Sequence, residues 1–339
     1  MGQASRTAER YADVDPHTFR ARPARRTRPR TKDRPDYSDA PVGRVVTIDR
    51  GRYRVRMSDA LVTAVKTRSL GRKAAIVGDL VRLTGNVSGN DGTLARIVEV
   101  AERSSVLRRT ADDNDPYERP IVANADQLMI VASLADPPPR PGMIDRILVA
   151  AYDAGIVPVL CLTKADLADP AEIRAAYSPL GVPVVAVSPD ADLTGINDLL
   201  TGHVTVLVGH SGVGKSTLIN RLVPDANRVT GRVNKVTGRG RHTSTSAMAL
   251  ELPTTGWVID TPGVRSFGLS HVTPDSILKG FSDLAKLTED CPRGCQHDRT
   301  APECGLDLAV SHHKLDPERL SSFRRIIGGV HQRLATAEG

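Results

Sequence analysis

The sequence predicts an α/β domain built on a mostly parallel sheet, set between a small β-barrel and a metal-stapled helical unit. Three observations predict it. Short β-branched runs punctuated by glycine extend from Val42 to about Leu107, strand and helix alternate from about Pro120, and a Cys/His cluster follows once strands give out near Val264. The 339 residues exceed one domain of ~100–200 residues, so boundaries are expected. They fall into an arm over 1–40, a barrel over 41–110, an α/β domain over 111–268 and a helical unit over 269–339.

The formal charge of +7 is concentrated in the arm. Arg20 to Arg34 holds seven arginines and one lysine against one aspartate, so the rest of the chain sums to zero. Like charges with prolines and few apolar residues cannot offset their ordering entropy, and the arm is expected to be disordered. Arginine forks suit phosphate, so it reads as a basic arm for nucleic acid, with a solvated tail as the alternative. No run approaches the ~20 apolar residues of a membrane span, and the N-terminus lacks a secretory apolar core. A cytoplasmic protein without a membrane partner is expected.

The segments GRVVTIDRGRYRVRM, ALVTAVKT, AAIVGDLVRLTG and GTLARIVEVAERSSVL hold about five strands, with Asn90-Asp91-Gly92 as a tight-turn signal. Five strands in ~65 residues predict a closed barrel of the oligonucleotide/oligosaccharide-binding (OB) kind. Arg50, Arg52, Arg54 and Arg56 alternate along one strand and suit either the wet face of a barrel or a phosphate backbone.

Farther on, strands are expected over 126–134, 156–162, 182–188, 203–209 and 256–260, with helices near 143–154, 171–177 and 194–200. Such a rhythm gives a parallel sheet covered on both faces, with ligands at the carboxyl ends of strands. A final helix is expected over about 317–334.

Gly209-His210-Ser211-Gly212-Val213-Gly214-Lys215-Ser216 fits G-x-x-x-x-G-K-[ST] at every fixed position, and Thr217 follows at the start of an amphipathic helix. Backbone N–H groups and a helix N-terminus there converge on phosphates. Lys215 would pair with the β and γ phosphates, and Ser216 would offer its hydroxyl to Mg²⁺. Asp260-Thr261-Pro262-Gly263 ends the next strong strand and supplies a second Mg²⁺-side carboxylate and a γ-phosphate N–H. Between the two, Val236 to Leu252 is Gly/Arg-rich with several hydroxyls, as a flexible switch loop requires. One of Thr243, Ser244 and Thr245 donates the second Mg²⁺ hydroxyl, and spacing does not say which. Val264 can neither donate nor accept, so His242 is the local candidate for positioning the attacking water.

Thr163-Lys164-Ala165-Asp166 answers which base is read. A carboxylate at Asp166 accepts from guanine N1–H and N2–H₂, an arrangement adenine lacks, and the Lys164 stem can lie on the ring. The next strand ends at Ser188, where a loop can close over the base. His313-Lys314-Leu315-Asp316 has a similar pattern but lacks a clean strand before it, and Asp316-Pro317 reads as a helix cap.

Cys291, Cys295, His297 and Cys304 lie within fourteen residues as C-x₃-C-x-H-x₆-C. Three thiolates and one imidazole complete a tetrahedral structural Zn²⁺ site, with His312 and His313 as substitutes if one ligand is misassigned.

The base reader precedes the phosphate loop, the reverse of the usual GTPase order. A circular permutation resolves this: the base-reading motif and its loop come first, then phosphate loop, switch and DTPG (G4-G5-G1-G2-G3). Nucleotide state could then move the metal unit that follows DTPG. With barrel, TKAD, GHSGVGKST, GRGRHTST, DTPGVRSFGL and the zinc cluster in that order, residues 42–335 resemble the circularly permuted, ribosome-small-subunit-dependent GTPases, the RsgA or YjeQ family.

The resemblance implies GTP hydrolysis stimulated by the 30S subunit during its late maturation, contact with 16S rRNA, and GTP/GDP, Mg²⁺ and one structural Zn²⁺ as ligands of a monomer. It carries guanine binding to Thr163–Asp166, phosphates to Gly209–Thr217, catalysis to His242 and zinc to Cys291, Cys295, His297 and Cys304. This chain departs from the family in Thr163, where Asn is commoner, in a zinc spacing shifted by one at each end, and in its long arm. Two other readings compete: an ATP-using small-molecule kinase in which TKAD is incidental, and a nucleic-acid-binding protein with a vestigial nucleotide site.

Overall fold

The computed structural model describes residues 36–71, 75–109, 119–224, 247–261 and 272–337. Strands β1 (Val42–Asp49), β2 (Arg52–Arg56), β3 (Leu61–Lys66), β4 (Leu80–Gly85) and β5 (Ala95–Val100) close a barrel in the order β1-β2-β3-β5-β4. The two-residue alternation of a strand decides what faces inward. On β2, Tyr53 and Val55 are buried and the three arginines turn outward; Val45, Val62, Leu83 and Ile97 complete the interior. Arg50 sits not on the strand but in the hairpin turn, at φ 46° beside Gly51 at φ 78°. The reading of four cations on one strand face is thereby corrected.

Two of the remaining arginines are already committed within the protein. Arg54 donates to Thr63 Oγ1 at 2.6 Å, and Arg56 pairs with Glu251 of the neighbouring sheet at 3.0 Å. Arg44 reaches the same edge, its guanidinium 5.6 Å from the Trp257 ring centroid. Asp79 is wholly buried, yet accepts from the Ile76 N–H at 2.7 Å and from both arms of Arg103 at 2.7 and 2.8 Å. Without that fork a carboxylate could not be taken out of water.

A two-stranded ladder that the sequence reading did not anticipate, β6 (Val106–Arg109) against β7 (Arg119–Ala123), leads from the barrel into a six-stranded sheet. The sheet comprises β8 (Gln127–Ser133), β9 (Val157–Thr163), β10 (Val184–Val187), β11 (Val204–Val208), β12 (Met248–Glu251) and β13 (Trp257–Asp260), in the order β10-β9-β8-β11-β13-β12. All pairings are parallel except β12 with β13. β12 corrects an expectation: the end of the segment read as a switch loop, Met248 to Glu251, is an edge strand.

Helices α1 (Pro141–Asp153), α2 (Ala171–Tyr177), α3 (Thr194–Leu200) and α4 (Lys215–Leu222) cover the sheet. All seven residues of β8 are buried, as a central parallel strand requires. Leu128, Ile130 and Ala132 face a core shared with α1 and α2, while Met129 and Val131 face one shared with α3 and α4.

The C-terminal helices are α5 (Pro274–Leu278), α6 (Ser282–Lys286), α7 (Gly305–Ser311) and α8 (Pro317–Ala337). Asp316 accepts from the Glu318 N–H at 2.9 Å and so caps α8. Phe281 packs between Tyr152 of α1 and Phe323 of α8, with centroids 4.5 and 5.1 Å away. Arg319 donates to the Pro179 carbonyl at 2.7 Å, and Arg325 to Asp145 Oδ1 at 2.6 Å. These helices therefore continue the sheet's own core rather than forming a separate one.

Phe323→Ala is expected to cost about 3–5 kcal/mol, because a fully buried ring leaves a cavity. Equilibrium urea unfolding checks this: the midpoint should fall for sheet and C-terminal helices together.

Candidate functional site

The segment Gly209–Thr217 joins β11 to α4. At Gly209 a Cβ would lie 2.4 Å from the Val131 carbonyl oxygen, so only glycine lets the loop press on β8. Gly212 and Gly214, at φ 84° and 86°, turn the chain into the helix in the left-handed region. Val213 is buried beneath the loop, His210 and Lys215 are half-buried, and Ser211, Ser216 and Thr217 are exposed. The Lys215 ammonium is bound to Asp260 Oδ1. Strand register sets this pair, since Asp260 lies opposite Leu207 on β11 and Lys215 follows the loop after it. Thr261 adds a buried bond to the Leu207 carbonyl at 2.8 Å.

Thr163, the last residue of β9, is buried and donates its hydroxyl to the Val213 carbonyl at 2.6 Å. One β-branched side chain thus joins the TKAD and phosphate-loop segments, which are fifty residues apart. Lys164 follows at φ 57°, its ammonium bound to the Asp136 carbonyl. Ala165 N–H reaches the Val187 carbonyl at 3.1 Å, and Asp166 is exposed. Ser188, just past β10, accepts on its carbonyl from Arg221 of α4 at 3.0 Å. Thr163 to Asp166, Ser188, Gly209 to Thr217 and Asp260 thus gather at the carboxyl ends of β9, β10, β11 and β13.

His242, Thr243, Ser244, Thr245 and Gly263 lie outside the described residues, as do residues 1–35 of the arm over 1–40. The sequence reading missed Asp136 and Arg221. Asp136 accepts from Lys164 on its own backbone carbonyl and Arg221 donates to the carbonyls of Ser188 and Ala191, contacts that no side-chain pattern encodes.

The Cys/His cluster lies in the segment that joins α6 to α7. One ligand atom from each of Cys291, Cys295, His297 and Cys304 falls within 4.8 Å of the others. His297 Nδ1 is 3.7 Å from both Cys291 Sγ and Cys304 Sγ. Tetrahedral zinc with bonds of about 2.3 Å to sulfur and 2.0–2.1 Å to nitrogen puts such atoms about 3.6 Å apart, so the donor set fits. Burial pushes the Cys291 thiol up to about 11, and the charges of Cys304 and Cys295 add to this. Burial also raises Cys295 and lowers His297. Thiols this close ionise together only around a cation. Arg324 braces the cluster, donating to the His297 carbonyl at 3.1 Å while both its arms hold Asp307 at 2.7 Å. His297 is itself at φ 55°, a conformation that this bond helps to fix.

Thr163→Val keeps the shape but leaves the Val213 carbonyl with one partner fewer. A loss of about 1–3 kcal/mol follows for an abandoned buried acceptor. A thermal melt and titration calorimetry with GDP check it: the melting temperature should fall by a few degrees, and GDP affinity should drop at least fivefold as the two segments lose their direct link.

The RsgA GTPase family matches residues 100–270. The protein called small ribosomal subunit biogenesis GTPase RsgA in Pseudomonas aeruginosa strain LESB58 is 35% identical over 304 residues, 87% of each chain. Its Pseudomonas putida strain F1 counterpart is 39% identical over 252 residues, 72% of each. Among solved structures, YjeQ from Thermotoga maritima superposes with TM-score 0.63 at 24% identity, covering 86% of this chain and 98% of its own. YloQ, described as a circularly permuted GTPase, gives 0.62 at 23%, covering 88% and 97%. The two structures bear on the fold alone, and it is the family match together with the 35% identical relative that places the chain: it belongs to the RsgA GTPase family.

Proposed function

We propose that this chain is a GTPase of permuted G4-G5-G1-G2-G3 order that binds the small ribosomal subunit and, in response, hydrolyses GTP to GDP and phosphate during late 30S maturation. The Thr163 hydroxyl on the Val213 carbonyl carries the reading, because it sets the TKAD segment directly against the phosphate loop. Asp166 accepts from the guanine edge, and Lys164, Ala165 and Ser188 enclose the base. Gly209 to Gly214 donate backbone N–H groups to the phosphates, and Lys215 leaves Asp260 for the β and γ oxygens. Ser216, Asp260 and one of Thr243, Ser244 and Thr245 would hold Mg²⁺, which neutralises charge on the phosphates. Thr217 and Gly263 complete the phosphate contacts, and His242 positions the water.

Cys291, Cys295, His297 and Cys304 would hold one Zn²⁺, whose four protein ligands leave no open position for chemistry. The OB reading of the five-stranded barrel, with Arg52 exposed on its outer face, supports contact with 16S rRNA. The arm over 1–40 adds to that contact. Among the described residues no helix is long and apolar enough to cross a membrane. The proposal takes the chain as a cytoplasmic monomer working on the subunit.

GTP turnover measured with and without 30S subunits tests the proposal: turnover should rise at least tenfold, roughly 1.4 kcal/mol off the barrier, and an unchanged rate would contradict it. Asp166→Asn should weaken GTP and gain xanthosine triphosphate, read by competition binding. For the metal, purified protein should contain about one zinc per chain, and Cys304→Ser should lose it, as read by elemental analysis. Because the ligands bind deprotonated, zinc affinity should rise with pH.

A further inference from the structure

Arg221 lies in the last turn of α4, where a cation already suits the helix C-terminus. Its guanidinium does more than that: Nη1 donates to the Ser188 carbonyl at 3.0 Å, and Nη2 donates to the Ala191 carbonyl. Residues 188–191 form a turn closed by the Ala191 N–H on the Ser188 carbonyl at 3.2 Å, with Pro189 at its second position. Proline fixes one φ, and a planar fork fixes the carbonyls at both ends of the turn. Asp192, next along, accepts from the Thr194 N–H at 3.0 Å and so holds the start of α3.

The loop after β10 is thereby fastened to the helix that begins at Lys215. Three direct links now close a ring of segments: Thr163 to Val213, Ala165 to Val187, and Arg221 to Ser188 and Ala191. Each joins segments distant in the chain, and only the third runs from the phosphate-loop helix to the loop beside TKAD.

We propose that Arg221 is a positioning residue for guanine: by holding the 188–191 turn against α4 it keeps the base side of the site formed before nucleotide arrives. A loop ordered in advance spares the ligand its ordering cost, so the loss on freeing it falls on the base and not on the phosphates. The inference rests on the reading of Thr163 to Asp166 and Ser188 as the base site. Arg221 touches no reacting atom.

The test measures binding of GDP, ADP and tripolyphosphate to the full chain in Mg²⁺ buffer, for the parent, Arg221→Met and Arg221→Lys. Tripolyphosphate reads the phosphate loop alone. Arg221→Met should weaken GDP about 10- to 100-fold, the size expected for losing bonds to a charged group, while tripolyphosphate changes by no more than about twofold. Arg221→Lys should fall between, because an ammonium lacks the fork. Equal losses for GDP and tripolyphosphate would overturn the proposal, making Arg221 a support of α4 only. GDP affinity unchanged in both variants would overturn it as well. A parent that binds ADP as tightly as GDP would instead overturn the base-site reading, and this inference with it.

Discussion

The hydrogen bond from Thr163 to the Val213 carbonyl is the constraint on which the nucleotide end of the sheet depends. A loop of glycines around a buried valine exposes backbone polar groups that strands and helices do not satisfy, and a carbonyl left there without a partner would cost free energy. The hydroxyl meets that need and at the same time fixes the distance between the Thr163–Asp166 and Gly209–Thr217 segments. Threonine, stiff at χ1, suits this task because β9 ends where its hydroxyl reaches the loop. Since the link is made through space, the order of the two segments along the chain does not matter to it. A permuted chain can build the same site as long as the strands stay neighbours.

Most strands and helices were legible because the sheet is parallel and covered on both faces, so its strands read as short apolar runs between Gly, Pro and polar stretches. What was not legible had a physical reason. Met248 to Glu251 is short, follows a hydroxyl-rich run, and becomes a strand by pairing antiparallel with Trp257 to Asp260. Nothing local distinguishes it from the end of a loop. The β6–β7 ladder is likewise defined by a partner at a distance. The gathering of Cys291, Cys295, His297 and Cys304 was readable from their spacing; Arg324 was not, because its bond is to the backbone of His297.

The barrel arginines show how a periodic charge pattern can serve two ends. Arg56 holds Glu251 of the edge strand and Arg44 lies over Trp257, which seats the barrel on β12 and β13, while Arg54 is bonded within the barrel to Thr63. That strand pair has Met248 opposite Asp260 at its far end, which ties the barrel mechanically to the carboxylate holding Lys215. The C-terminal helices impose a second constraint. Phe281 and Phe323 share a core with Tyr152 of α1, so any shift of these helices must be accommodated by α1.

The central claim is that segments arranged in a permuted order form a single guanine-nucleotide site at one end of the sheet. A crystal structure of the full chain with Mg²⁺ and a non-hydrolysable GTP analogue tests it most directly. The account predicts the guanine edge on Asp166 beside the 188–191 turn, the phosphates on Gly209–Thr217, and Lys215 moved from Asp260 to the phosphate oxygens. A base bound away from Asp166, or phosphates held elsewhere with Lys215 still on Asp260, would contradict it.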